Sequence, residues 1–285
     1  MSVRKIAVLG AGTMGAGIAL VAARSGYDVH LRDVSDDLVA RGRRTLEANL
    51  AKGVELGKVT PEERDGALAR LSAGTELKTA VDGAQLIIEA VPEDLGLKQD
   101  VFAQAAEFAP REAIFASNTS SLSIAKLGGG TDRPDRTVGM HFFNPVHVMK
   151  LLEVVVGPET SAATLAAARE VGERMAKDVI VVRDSPGFAT SRLGVLLGLE
   201  AIRMVEEGVA APADIDTAMT LGYGHPMGPL RLTDLVGLDV RLKIAEYLHT
   251  TLGRGAFRPP DLLRRMVHEG KLGKKSGQGF YRWEK

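Results

Sequence analysis

The segment His141-Phe-Phe-Asn-Pro-Val-His-Val-Met-Lys-Leu-Leu-Glu153 sets an imidazole and a carboxylate on two neighbouring apolar stretches joined through an Asn-Pro turn. Residues 138–143 and 151–156 read as strands. The link between them is shorter than the dozen or more residues that a parallel crossover needs. The two strands are therefore predicted to run antiparallel, with Glu153 returning alongside His141. A carboxylate on one ring nitrogen fixes the histidine tautomer and stabilises the imidazolium formed when the other nitrogen takes a proton. That is the equipment of a general base. The same pair would equally satisfy a histidine buried for structural reasons, so the elements around it must decide.

The first of those elements is at the N-terminus. Lys5-Ile-Ala-Val-Leu-Gly10 is a short apolar run, and Gly10-Ala-Gly12-Thr13-Met14-Gly15 continues it as G-x-G-x-x-G, with Gly17 following. Gly10 suits the tight turn, Gly12 the approach of backbone to a pyrophosphate, and Gly15 close packing of helix on strand. The helix over residues 18–25 presents its positive N-terminal end to phosphates. Gly26 ends it, and a second strand over 27–33 closes on Asp33, about twenty residues past the glycines, where a ribose-binding carboxylate is expected. An acid there favours the free 2′-hydroxyl of NAD over the 2′-phosphate of NADP, although Arg32 is adjacent.

Residues 36–71 read as a polar helical pair inserted after that strand, with Thr60-Pro-Glu-Glu as the start of its second helix. Its charges, among them Arg43, Arg44, Lys52 and Lys58, are a solvated face or a hold on a phosphate-bearing substrate. Residues 85–93 form a buried strand ending in Pro-Glu93, with Lys98 on the next helix. Residues 113–121 form another, ending in Asn-Thr-Ser120-Ser. In open α/β sheets ligands lie beyond the carboxyl ends of strands. Glu93, Ser120 and His141 all fall at such ends, which is the reason to read them as one site.

A last strand begins at Asp178 and is broken by Ser185-Pro-Gly. From Phe188 onward apolar residues recur at helical spacing. The expected fold class is α/β: a Rossmann-like N-terminal domain over residues 1–184 with a helical insertion, followed by an all-α C-terminal domain over 185–285. The first helix of that second domain, over 189–207, is apolar on more than one side and is expected to face a second subunit. The chain of 285 residues is 45% hydrophobic and 25% charged with zero formal net charge. There is no global basic field for nucleic acid or an anionic membrane. The absence of cysteine excludes thiol nucleophiles and zinc–thiolate sites. With no signal-peptide pattern and no apolar run of spanning length, the expected compartment is the cytoplasm.

Taken together, GAGTMGAGIA, IIEAVPED, ASNTSSLSI, HFFNPVHVMKLLEVV, DSPGF, DIDTAM, HPMGPL and GKKSGQGFY, in this order along nearly the whole chain, resemble the L-3-hydroxyacyl-CoA dehydrogenase family, including its 3-hydroxybutyryl-CoA dehydrogenases. The resemblance implies NAD-dependent oxidation of an L-3-hydroxyacyl-CoA to the 3-ketoacyl-CoA, in lipid metabolism, by a homodimer joined through its helical domains. By position it implies His141 as the base, Glu153 as its partner, Ser120 against substrate and cofactor, and Asn144 near the nicotinamide. Gly10, Gly12, Thr13, Met14, Gly15, Asp33, Glu93, Lys98 and Lys275 fall at cofactor contacts. The CoA contacts lie on the helical insertion, where Asn49, Lys52 and Lys58 are the candidates. One departure stands out: where the family carries a substrate-holding asparagine after Pro-Gly-Phe, this chain has Ser191, whose reach is shorter. Acyl length and pathway stay open. The rival readings are a dehydrogenase of a free hydroxy acid and a non-catalytic NAD-binding protein.

Overall fold

The computed structural model describes residues 2–284. The chain divides into two compact units, Met1–Ser185 and Pro186–Lys285. In the first, β1 (Lys5–Leu9), α1 (Thr13–Arg24) and β2 (Asp28–Arg32) form the opening βαβ unit. The helical insertion is α2 (Asp36–Glu55) and α3 (Pro61–Ala69). Thr60 caps α3 in a reciprocal capping box with Glu63, as the Thr-Pro-Glu-Glu run implies. Then come β3 (Leu71–Gly74), α4 (Leu77–Val81), β4 (Leu86–Glu89), α5 (Leu95–Phe108), β5 (Ile114–Ser117), α6 (Ile124–Gly128), β6 (Thr137–Phe142), β7 (Leu151–Val156), α7 (Ala162–Arg174) and β8 (Asp178–Arg183).

These eight strands make one sheet in the order β3-β2-β1-β4-β5-β6-β7-β8. Every neighbouring pair is parallel except β6 and β7, which are antiparallel as the short link requires. The strand order reverses between β1 and β4, which is where a doubly wound sheet opens its ligand crevice. The core is formed by apolar faces of the strands with α1, α2 and α7, among them Ile6, Val8, Ile18, Leu46, Ile88, Met140 and Val154.

The second unit holds α8 (Thr190–Glu206), α9 (Pro212–Gly222), α10 (Pro229–Val236), α11 (Leu238–Leu252) and α12 (Asp261–His268). Val195, Leu199, Ile202, Leu230, Leu238 and Leu248 form its own core. Two buried acids organise its loops. Asp216 accepts the backbone N–H groups of Leu230 and Arg231, and Asp234 those of Phe280 and Tyr281. The Tyr281 hydroxyl donates to Asp216.

Candidate active site

Register decides the central pair. His141 on β6 and Glu153 on β7 are direct cross-strand partners. Nδ1 of His141 lies 2.7 Å from Oε2 of Glu153, in a site that leaves the histidine 7% and the glutamate 0% exposed. An anion enclosed to that degree needs a partner, and the ring N–H supplies it. The Phe143 ring packs against the imidazole at 4.4 Å between centroids. The loop from Asn144 to Lys150 joins β6 to β7. Lys177 pins it by donating its ammonium to the carbonyls of Val146 and Met149. Gly17 on α1 lets the Val146 side chain approach where a Cβ would stand only 2.8 Å away.

The end of β5 is tied to the same place. Asn118 accepts the backbone N–H of Phe142, a link between β5 and β6 that the sequence does not announce. Beyond it, one oxygen of Glu93 collects the Thr119 hydroxyl at 2.6 Å, the Ser120 N–H at 3.1 Å, and the Ser120 and Ser121 hydroxyls at 3.3 Å. Glu93 thus fixes the loop that carries Ser120. Lys98 lies behind Glu93. It is 1% exposed, and its Nζ is 2.7 Å from Glu89 and 3.4 Å from Glu93. Glu89 is fully buried, and also accepts from the Ser117 hydroxyl and the Val91 N–H, both at 2.6 Å. Burial pushes its carboxyl above the usual range, against the pull of Lys98 and these donors. Glu89 has no counterpart in the sequence-based site; its partner nine residues later becomes visible only once β4 and α5 are packed together.

The glycine turn fits a dinucleotide. Gly10 has φ of 107°, and a Cβ there would meet the Ala90 carbonyl at 2.7 Å. A Cβ on Gly15 would overlap the Gly10 carbonyl oxygen. An added Cβ on Gly12 would meet nothing within 4 Å, so the turn is open on the side where a pyrophosphate would lie. Thr13 and Met14 begin α1, whose N-cap Gly12 leaves the helix N–H groups uncovered by any side chain. Asp33 anchors to the turn by accepting the Ala11 N–H at 2.6 Å, at the tip of β2 where a ribose would sit.

Asn49, Lys52 and Lys58 line one cavity of about 280 Å³ under α2. Arg24 and His147 line it too, and neither is singled out by sequence. No acid stands among its lining residues. His147 is pushed below the usual histidine range by burial first, then by Lys177, Arg24 and Lys58. Arg43 does not belong to this cavity. It pairs with Glu47 one turn along the exposed face of α2, and Arg44 is absent from the lining as well, because helical periodicity turns both away from Asn49 and Lys52. In the second unit, Ser191 stands in the first turn of α8 and Lys275 donates to Asp239 at 2.7 Å.

Residues 5–185 match the 3-hydroxyacyl-CoA dehydrogenase NAD binding domain, and residues 187–283 match the 3-hydroxyacyl-CoA dehydrogenase C-terminal domain. A 3-hydroxybutyryl-CoA dehydrogenase of Mycobacterium tuberculosis is 44% identical over 282 residues, which is 98% of either chain. The human mitochondrial hydroxyacyl-coenzyme A dehydrogenase is 40% identical over 99% of this chain and 92% of its own. The crystal structure of (S)-3-hydroxybutyryl-CoA dehydrogenase PaaH1 from Ralstonia eutropha superposes with a TM-score of 0.96 at 40% identity, covering both chains completely.

Proposed function

The chain belongs to the 3-hydroxyacyl-CoA dehydrogenase family, and on that premise we propose that it oxidises short-chain L-3-hydroxyacyl-CoA, such as 3-hydroxybutyryl-CoA, with His141 and Glu153 as the acid–base pair. It is an NAD-dependent oxidoreductase. The observation that carries the proposal is the 2.7 Å contact between Nδ1 of His141 and Glu153 at the carboxyl end of the sheet, on the side where the glycine turn opens.

Bound NAD supplies the hydride acceptor. The chain's own residues manage the proton and the charge. Nδ1 donates to Glu153, so Nε2 takes the proton of the substrate's 3-hydroxyl. Glu153 then faces a cation and stabilises it. Glu93 holds Ser120, accepting its N–H and hydroxyl, in the loop that meets the reacting oxygen. Asn144 and Lys275 contact the cofactor, and Ser191 the substrate. Lys98 acts on the cofactor site from behind, by holding Glu93. The cavity lined by Asn49, Lys52 and Lys58 takes phosphate groups of CoA, which the charges of Lys58 and Arg24 favour, beside a Lys52 that is paired with Glu55 at 2.8 Å.

The first test is NADH oxidation with acetoacetyl-CoA beside free acetoacetate and NADPH. Turnover with the thioester and NADH alone is expected. Equal turnover of free acetoacetate would favour a hydroxy-acid dehydrogenase. NADH binding without turnover of any 3-ketoacyl-CoA would leave a binding protein.

Two variants separate the roles. Glu153→Gln is expected to lower kcat by about 10²-fold or more, since it removes both the tautomer lock and the counter-charge. A rate and pH profile equal to wild type would make the pair structural. Lys52→Ala with Lys58→Ala is expected to raise the KM for acetoacetyl-CoA about tenfold, a modest effect because exposed charges are screened. kcat should hold and the difference should shrink at high salt. A loss confined to kcat would move the CoA contacts elsewhere.

A cytoplasmic homodimer completes the proposal. Leu193 and Leu196 on α8, Leu232, Leu235 and Val236 on α10, and Val240 on α11 are exposed apolar side chains on helices that pack together. Such a face suits a second copy. No helix among the described residues is long and apolar enough to cross a membrane.

A further inference from the structure

A second cavity adjoins the one under α2. It encloses about 390 Å³ and shares Arg24, His147 and Val148 with its neighbour. Its own wall adds Lys150 from the loop before β7, Arg174 from the last turn of α7 and Lys177 from the turn before β8. No acid stands among its lining residues. Its volume falls within the roughly 300–1,000 Å³ of small-molecule sites. All of these residues belong to the first unit.

Cations gather there without carboxylates to hold them. Arg174 donates from Nε and Nη2 to the carbonyls of Ser25 and Gly26 past the end of α1, and its Cζ lies 4.3 Å from the centre of the Tyr27 ring. A helix C-terminus carries only about half a negative charge, so the guanidinium is fixed in place but not neutralised. Lys177 is 8% exposed, and its partners too are carbonyls, those of Val146 and Met149. Neither Arg24 nor Lys150 has an ion pair among the described residues. Of the acids nearby, Glu173 pairs with Arg169 along α7, and Glu170 acts on Tyr27. The resulting field registers on His147. After burial, the groups that hold its proton off are Lys177, Arg24 and Lys58, all of them cations.

Donors on three separate elements suit a compact anion with several oxygens. A phosphate monoester offers three strong acceptor oxygens and close to two negative charges, where a carboxylate offers two oxygens and one charge. We propose that this cavity is a second anion site, which takes a phosphate monoester or free phosphate on Arg24, Lys150 and Arg174, with His147 as the wall between it and the first cavity. The monoester at hand is the 3′-phosphate of CoA, which stands one ribose away from the pyrophosphate. The first cavity then keeps the pyrophosphate. Only this source rests on the dehydrogenase function above.

The test compares acetoacetyl-CoA with acetoacetyl-dephospho-CoA, which lacks only the 3′-phosphate, in steady-state NADH oxidation. Inorganic phosphate is titrated by calorimetry, and thermal unfolding is followed. The proteins are wild type, Lys58→Ala, Lys150→Gln, and Lys150→Gln combined with Arg174→Gln. With CoA as the source, wild type is expected to prefer the CoA thioester about tenfold in kcat/KM, the effect of partly screened hydrogen bonds between charged groups. The double variant should abolish that preference. Lys58→Ala should keep it, since Lys58 lines the first cavity alone. With free phosphate as the source, wild type treats the two thioesters alike and binds inorganic phosphate, and the double variant binds it about tenfold more weakly. A wild type that neither prefers the CoA thioester nor binds phosphate would overturn the proposal. So would a double variant with both properties intact, or a preference abolished by Lys58→Ala, which would put the 3′-phosphate in the first cavity. An equal loss with both thioesters and a lower melting temperature would mark Arg174 and Lys150 as packing residues. Turnover of neither thioester by wild type would refute the dehydrogenase reading, and the phosphate titration would then decide the site alone. Should the double variant not fold, Lys150→Glu replaces it, and wild-type values of preference and phosphate affinity would again count against the site.

Discussion

His141→Ala is expected to lower kcat by at least two orders of magnitude while NADH still binds with wild-type affinity. The magnitude follows from what the side chain does. General base catalysis contributes roughly 10²–10⁴-fold, and the proposed mechanism puts all of it on this ring: Glu153 is fully buried and engaged with Nδ1, so it is placed to support the imidazole rather than to replace it. The glycine turn and Asp33 lie on β1, α1 and β2, away from the β6–β7 pair, and should bind cofactor as before. Removing the ring also takes the Nδ1 donor away from the Glu153 carboxylate in an enclosed site, so stability has to be checked beside the kinetics. His141→Gln keeps a donor near Glu153 and should fold more like wild type with a similar loss of rate. If either variant retained most of its turnover, another group would have to be the base.

Lys98→Met is expected to destabilise the N-terminal unit by about 3–5 kcal/mol, the usual effect of removing one member of a buried ion pair. Lys98 and Glu89 are 1% and 0% exposed, so no solvent is at hand to take over from the missing ammonium. Denaturant unfolding would measure it. The informative control is Lys98→Met combined with Glu89→Leu. Replacing both charges by apolar groups is often neutral, so the double variant should recover most of the stability. It should not recover the KM for NADH, because Glu93 would still lack the ammonium 3.4 Å away. Recovery of both together would mean that Lys98 only stabilises the fold. A Lys98→Met protein as stable as wild type would show that Glu89 takes up a proton and stands alone.

The parts of the site built by local rules were legible in the sequence. The glycine turn, Asp33 at a strand end and the antiparallel return from His141 to Glu153 each follow from spacing over a few residues. Other parts were not, for a physical reason. β3 is only Leu71–Gly74 and follows the polar helical reading of 36–71 without a strand signal, since four residues are too few for alternation to register. Lys98 reads as a cofactor contact on an ordinary helix; its burial against Glu89 depends on a packed interface that the sequence does not display. His147 reaches the cavity beside Lys58 through the fold of the 144–150 loop, and Arg24 from the end of α1.

The cross-strand placement of His141 and Glu153 also sets which changes of chain length the enzyme can survive. Side chains alternate between the two faces of a sheet, so a slip of one residue in the pairing of β6 with β7 would send Glu153 to the opposite face. A single-residue deletion inside residues 151–153 should therefore disconnect the pair as completely as a substitution of Glu153. Residues lengthening the exposed tip of the loop, near Val148 and Met149, leave the register untouched. Sequence drift and engineered insertions should accordingly collect at that tip, and gaps should be absent from the two strands that flank it.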